Sequence, residues 1–321
     1  LKHIMGIFDK RLNYKPFEYP EILQFVDSMN QTFWVHKEVE FTADIQDFKS
    51  NLSEKEKEVV KRSLLSIAQV EVAVKTFWGY LYKYLPKPEF NGLGATFSES
   101  EFRHSEAYSR LLEVLGYNNE FEGLMEVPIF KKKLELFEKH FGKDISFVQK
   151  LLFFVIVIEN TSLFSQFANI LSFTRFKGYM KNTANIIAWT SVDEQTHANA
   201  GVYILNKIFE EYPEERYSQE HLEEVIKDYV AYESELLDWI YEKGQLSFYT
   251  KEDMLNFMKY RVDTAITHLN YNKIYNITGE QYSTMKWFDE DVFANELDDF
   301  FAKRPTAYTK HDKSITENDL F

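Results

Sequence analysis

The sequence predicts an all-α protein. Glycine and proline are scarce, with 11 Gly and 7 Pro in 321 residues, so turns are few. Apolar residues recur at helical spacing over long stretches, and no segment alternates with period two for long. Helix start and stop signals bracket those stretches.

The elements follow in chain order. Up to about residue 52 the chain reads as irregular with short helices. A first long helix opens at Ser53, where Ser53 and Glu56 have the spacing of a capping box. It is expected to run to about Tyr84, ended by Pro86 and Pro88. A second is expected over about 98–115, with Gly116 as its C-cap glycine, and a shorter one between Pro128 and Gly142. A third long helix starts near Asp144 or Ser146 and reaches Phe176 or Gly178. A fourth covers about 181–211, stopped by Pro213. Two more are expected near 220–242 and 251–275. Residues 1–300 are expected to form one helical domain. Residues 301–321 are polar and charged before ending in Leu320-Phe321, and are read as a mobile tail with an apolar tip.

Bulk properties exclude several functions. The net charge is −14 and the pI about 5.1. A phosphate backbone repels such a chain and no basic cluster offsets this, so nucleic acid is not expected as a partner. With no cysteine there is no disulfide, thiolate ligand or cysteine nucleophile, and any metal site must use oxygen and imidazole. The longest apolar run, 151–158, is too short to span a bilayer, and no signal peptide is apparent. Met5-Gly6 resembles a natural start with residues 1–4 as a remnant, and the cytoplasm is the expected location.

The chemistry lies in six residues. Among eight histidines, His104 and His197 each have a glutamate three residues upstream, Glu101 and Glu194. On a helix, i and i+3 share a face, so each pair can aim a carboxylate and an imidazole at one point. The other two long helices each carry a glutamate in an apolar setting. Glu71 lies in SLLSIAQVEVAVKTFW, and Glu159 follows eight apolar residues. A lone charge in such a place costs several kcal/mol unless it is paired or binds metal. Four carboxylates balance two divalent cations, and carboxylate with imidazole suits iron and manganese. The order Glu, ExxH, Glu, ExxH, spaced 30 residues in one half (71 to 101) and 35 in the other (159 to 194), is that of ferritin-like dimetal bundles.

With these residues the chain resembles the small, radical-generating subunit of class I ribonucleotide reductase. The segment FSESEFRHSEAY looks like that family's ExxHxxxY element, which makes Tyr108 resemble the tyrosine oxidised to a stable radical. In SVDEQTH, Asp193 resembles the aspartate that couples a metal-bound histidine to a tryptophan, and Trp34 in QTFWVHKEVEF is the matching tryptophan. The resemblance implies a ferritin-like bundle with two metal ions per chain and a homodimer. Its partner would be a large catalytic subunit whose cysteine performs the ribose chemistry. It also implies docking of that subunit on the C-terminal ITENDLF, with Tyr308 relaying the radical. The chain departs from the family at Glu71, where many members have aspartate. With Lys75 four residues on, this resembles a manganese-using branch. Dimanganese is therefore favoured over di-iron or mixed manganese–iron, and the oxidant is held on Tyr108 or on the cluster. The alternatives are a ferritin-like oxidase or monooxygenase with a substrate cavity, an iron store, and a metal-free helical protein.

Overall fold

The computed structural model describes residues 6–73 and 76–293, and among these it is entirely helical, with no strand. The helices are α1 (Ile22–Gln31), α2 (Thr42–Ser50), α3 (Glu54–Ala73), α4 (Thr76–Gly79), α5 (Leu81–Tyr84), α6 (Pro88–Leu115), α7 (Asn118–Glu122), α8 (Pro128–Phe141), α9 (Phe147–Phe153), α10 (Phe164–Lys177), α11 (Lys181–Glu211), α12 (Gln219–Ile240), α13 (Lys251–His268), α14 (Gly279–Ser283) and α15 (Lys286–Phe293). A π-helical segment, Phe154–Ser162, joins α9 to α10.

The centre is a bundle of α3, α6, the π segment with α10, and α11. Helices α3 and α10 run antiparallel, fixed by Lys177 to Glu56 (2.8 Å) at one end and Asn169 to Ser63 (3.2 Å) further in. Helix α1 lies across α6 and α11, while α8, α12 and α13 flank the other side. The N-terminal segment also secures α11. Asp44 accepts bonds from the Thr183 N–H (2.5 Å) and hydroxyl (2.6 Å), which caps the start of that helix from outside it.

Four element boundaries differ from expectation. The first long helix stops at Ala73, and the chain reaches Tyr84 through the short α4 and α5. Helix α6 begins at Pro88, well before residue 98. A proline fits the first helical turn because its missing N–H would have had no partner there, so Pro88 starts this helix. The third long helix is interrupted by the π turn. There the Thr161 hydroxyl donates to Ile156 O (2.8 Å) and that of Ser162 to Ile158 O (3.0 Å). An apolar run carries no periodic signal that separates α from π. Helix α13 ends at His268, because Asn270 turns left-handed (φ 63°) and Asp263 accepts the N–H groups of Ile274 (2.8 Å) and Asn276 (2.8 Å).

The run Phe147–Lys177 is long and apolar enough to cross a membrane by length and composition, but its most apolar 18-residue window is wholly buried within the protein. It is the core helix of the bundle. Arg261 ties it to α11: its Nε donates to Asn160 O (2.8 Å) and its Nη2 to Gln195 Oε1 (2.6 Å), with the guanidinium 3.4 Å from the centre of the Phe164 ring.

Glycine permits one close approach. A Cβ at Gly201 would lie 2.1 Å from Val155 Cγ2, so α11 meets the π segment only because position 201 has no side chain. Gly201→Ala is expected to lower stability by about 1–3 kcal/mol, read as the shift in denaturant midpoint. Gly279→Ala, where nothing lies within 4 Å of the added atom, should leave the midpoint in place.

Candidate metal centre

Each of the four central segments delivers what its sequence spacing suggested. Glu71 comes from α3, Glu101 and His104 from α6, Glu159 from the π segment, and Glu194 and His197 from α11. All six are buried, with the carboxylates at most 5% exposed and the imidazoles fully enclosed. Their ligand atoms form two groups, each with atoms within 4.8 Å of one another. One group is Glu71, Glu101, His104 and Glu194; the other is Glu101, Glu159, Glu194 and His197. Glu101 and Glu194 belong to both, so two ions held here would share them. His104 Nδ1 lies 3.2 Å from Glu194 Oε1 and 3.8 Å from Glu71 Oε2. His197 Nδ1 lies 2.8 Å from Glu101 Oε1, 3.4 Å from Glu159 Oε1 and 3.6 Å from Glu194 Oε2.

The donor set fits two divalent ions. His104 Nδ1, His197 Nδ1 and Glu194 Oε1 are fully enclosed and lack hydrogen-bond partners among the described residues. Orphaned atoms of this kind call for an ion or water. The field has the right sign as well. Burial pulls the His197 imidazole down, but the neighbouring Glu101 and Glu194 carboxylates outweigh it and push it up to about 9. His104 is likewise raised against its burial, chiefly by Asp193 and Glu194. Imidazoles held protonated by surrounding carboxylates mark a site that is short of positive charge.

The surroundings orient these ligands. Asp193 Oδ2 accepts from His104 Nε2 (2.8 Å) and from Trp34 Nε1 (2.8 Å). A carboxylate can only accept, so His104 Nε2 carries a proton, and a metal binding at Nδ1 would displace the second proton that Glu194 favours there. Trp34 is buried, its ring stacked on His104 at 5.6 Å and 17°. Its carbonyl is held by Arg103 (2.7 Å), which also pairs with Glu99 (2.9 Å). Tyr108 is 1% exposed and donates to Thr190 Oγ1 (2.9 Å), which in turn donates to Ile186 O (2.7 Å). Burial raises the Tyr108 hydroxyl, so it keeps its proton at neutral pH.

The structure brings Trp34, Asp193 and His104 together through hydrogen bonds, and buries Tyr108 on the same helix as His104. Lys75, Tyr308 and the 301–321 tail lie outside the described residues. Sequence reading missed three neighbours. Trp78 Nε1 donates to Glu159 Oε1 (2.8 Å), fixing that carboxylate. Phe97 packs 4.2 Å from the His197 ring and 4.9 Å from Trp78, so apolar rings close that side of the site. Thr190 holds Tyr108. Helical spacing offers a signal for two of these, since Phe97 and Thr190 each sit one turn before a ligand, at Glu101 and Glu194. Trp78 bonds across 81 residues of sequence and leaves no local trace.

The family description "Ribonucleotide reductase, small chain" matches residues 11–283. The chain belongs to the ribonucleotide reductase small-chain family. The probable ribonucleoside-diphosphate reductase small subunit of invertebrate iridescent virus 3 is 25% identical, over 94% of this chain and 85% of that protein. Among solved structures, the dimanganese(II)-NrdF of Streptococcus sanguinis superposes with a TM-score of 0.76 at 18% identity, covering 87% of this chain and 99% of that one. The Rnr4 homodimer of Saccharomyces cerevisiae gives 0.73 at 19%, covering 87% and 90%. These superpositions establish the ferritin-like fold. As a small-chain ribonucleotide reductase, the protein is the radical-generating partner in the reduction of ribonucleotides to deoxyribonucleotides.

The raised His197 gives metal binding a definite pH dependence. Below about 9 an incoming ion must displace the imidazole proton. Apparent affinity for Mn(II) is therefore expected to climb with pH up to that value, by about tenfold per pH unit for each proton displaced. A competition titration at several pH values reads this directly, and a flat profile below 9 would contradict it.

Proposed function

We propose that the six residues hold two manganese ions and that Tyr108, Asp193 and Trp34 manage the oxidising equivalent. When bound, the ions supply the redox chemistry that activates an oxygen species; the residues around them orient, insulate and connect. The observation that carries this reading is the continuous contact Trp34–Asp193–His104, two bonds of 2.8 Å on one carboxylate oxygen, ending on an imidazole whose other nitrogen faces the acidic cluster. An electron entering the centre along this line, as the oxidising equivalent passes outward, can be matched by a proton moving on Asp193. Trp34 then connects the centre to the large catalytic subunit, with Tyr308 on the C-terminal segment as the next carrier.

Three further features support the proposal. Tyr108 is enclosed and bonded only to a hydroxyl, which keeps a neutral phenol out of reach of bulk water. A cavity of about 310 Å³ reaches Glu71 and Tyr108, and Ala68, Leu112 and Phe121 line it beside Ser105, Glu106, Ser109 and Asn118. It gives a small oxygen species a way to the Glu71 side of the centre. Manganese draws support from the dimanganese relative and from Glu71 in place of aspartate. A homodimer draws it from the yeast relative described as one. Lys75, four residues beyond Glu71, is proposed to bias the choice of metal or oxidant, and the cytoplasm is the proposed location.

Electron paramagnetic resonance on oxidised protein tests this. Loaded protein is expected to show either a tyrosyl radical that disappears in Tyr108→Phe, or a coupled-manganese signal that survives it. Trp34→Phe should leave that signal intact while ribonucleotide reduction with the large subunit falls at least a hundredfold. Unchanged turnover in Trp34→Phe would rule out the Trp34 route.

A further inference from the structure

Trp34 sits in irregular backbone, between the end of α1 at Gln31 and a single 3-10 turn at His36–Glu38. It belongs to neither helix, so its place is set by contacts from neighbouring elements. Its indole is held by Asp193 of α11 through Nε1 and lies against the rings of His104 and Trp189. Its backbone is held from α6. Arg103 Nη1 donates to Trp34 O at 2.7 Å, and the guanidinium lies over the Phe33 ring, 4.3 Å from its centre. Arg103 and His104 are consecutive, so α6 grips Trp34 twice. His104 lies under the ring, and Arg103 holds the carbonyl.

The burial of Arg103 is explained by Trp34 and not by its ion pair. The residue is only 7% exposed, and taking a guanidinium out of water is unfavourable unless it gains partners. Glu99, one turn back on the same helix, does not require that burial. Its side chain is 52% exposed, and an Arg–Glu pair at this spacing forms equally in water and contributes little. What burial adds is the Trp34 carbonyl and the face of Phe33, both on the segment that carries the tryptophan. The planar fork suits the task. Nε is taken by the two Glu99 oxygens at 2.9 Å, which leaves Nη1 aimed at the carbonyl. A cavity of about 210 Å³ beside this bond is lined by Val35, His36 and Lys37 and by Phe102, Arg103 and Glu106 of α6. Packing between the two elements is therefore incomplete there, and the hydrogen bond fastens what packing leaves loose.

We propose that Arg103 is a positioning residue of the radical route, holding the Trp34 backbone so that the indole keeps its 2.8 Å bond to Asp193 and its stack on His104. The inference deepens the Trp34 reading and rests on it. A single hydrogen bond at Nε1 fixes one point and leaves the ring plane to pivot about it. With the carbonyl also held, both ends of the residue are fixed, and the ring plane with them. Transfer of an electron with a matched proton depends steeply on such geometry, and a misplacement of about 1 Å can cost on the order of a hundredfold in rate. Among the described residues the Arg103 side chain bonds to the Trp34 carbonyl and to Glu99, and to no metal ligand. Its loss therefore moves the ring and leaves the ligand set in place.

The test reads ring position and turnover separately in the full-length chain. Fluorotryptophan labelling gives one fluorine resonance for each of the five tryptophans, and Trp34→Phe identifies the one from Trp34. Before metal is added, Arg103→Met is expected to shift or broaden the Trp34 resonance while those of Trp78, Trp239 and Trp287 stay in place. After loading with Mn(II), the variant should bind as many ions as wild type and keep its paramagnetic signal. Its kcat in ribonucleotide reduction should fall about tenfold, with half-saturation by the large subunit unchanged. Arg103→Lys, which keeps a donor for the carbonyl, should restore the resonance and most of the turnover. Arg103→Gln, too short to reach the carbonyl, reads the same loss should Arg103→Met not fold. Wild-type kcat in the Met or Gln variant, or a lowered kcat with an unmoved Trp34 resonance, would overturn the proposal. A loss confined to large-subunit affinity would overturn it too, since Arg103 would then be a docking residue. Unchanged turnover in Trp34→Phe would remove the route itself, so that variant tells the two failures apart.

Discussion

Four carboxylates and two imidazoles share one enclosed volume, and the rest of the structure answers to that constraint. Uncompensated negative charge in an apolar interior is tolerated only when positive charge or donors meet it. Two divalent ions held here would supply the charge, and the protein supplies donors where ions would not reach. Trp78 bonds Glu159 and the Asp193 carboxylate accepts the His104 proton. Each helix must present its ligand at one depth, which explains the devices that fix helix position. Asp44 caps α11, Gly201 admits Val155, and Arg261 binds the residues that follow Glu159 and Glu194.

The same enclosure makes the centre useful for radical chemistry. A one-electron oxidant survives where water and reductants are excluded, and here rings of Phe97, Trp78 and Trp34 seal the imidazoles. Traffic then depends on a few polar threads through the seal. Trp34–Asp193 is proposed as the thread for the oxidising equivalent.

The sequence was informative where a residue violated its surroundings or obeyed a helical period. Glu159 stood out because eight apolar residues precede it, and the two ExxH pairs because both partners fall on one helix face. Helix α11 was legible from end to end because Gly178 and Pro213 bracket it. Features set by long-range contact were not legible. Trp78 reads as core packing until Glu159 is beside it, and Asp193 as a surface acid until Trp34 approaches across 159 residues. The π turn hides in a run too apolar to show a period, and Pro88 serves equally as a terminator or as a first-turn residue until the backbone is seen.

The measurement that bears most directly on the central claim is metal stoichiometry in the wild type beside Glu194→Ala and Glu71→Ala. Glu194 belongs to both ligand groups and Glu71 to one. The account requires two ions per chain in the wild type, loss of binding at both positions in Glu194→Ala, and one ion retained in Glu71→Ala. Equal, partial losses in the two variants, or a wild type that binds fewer than two ions, would contradict it.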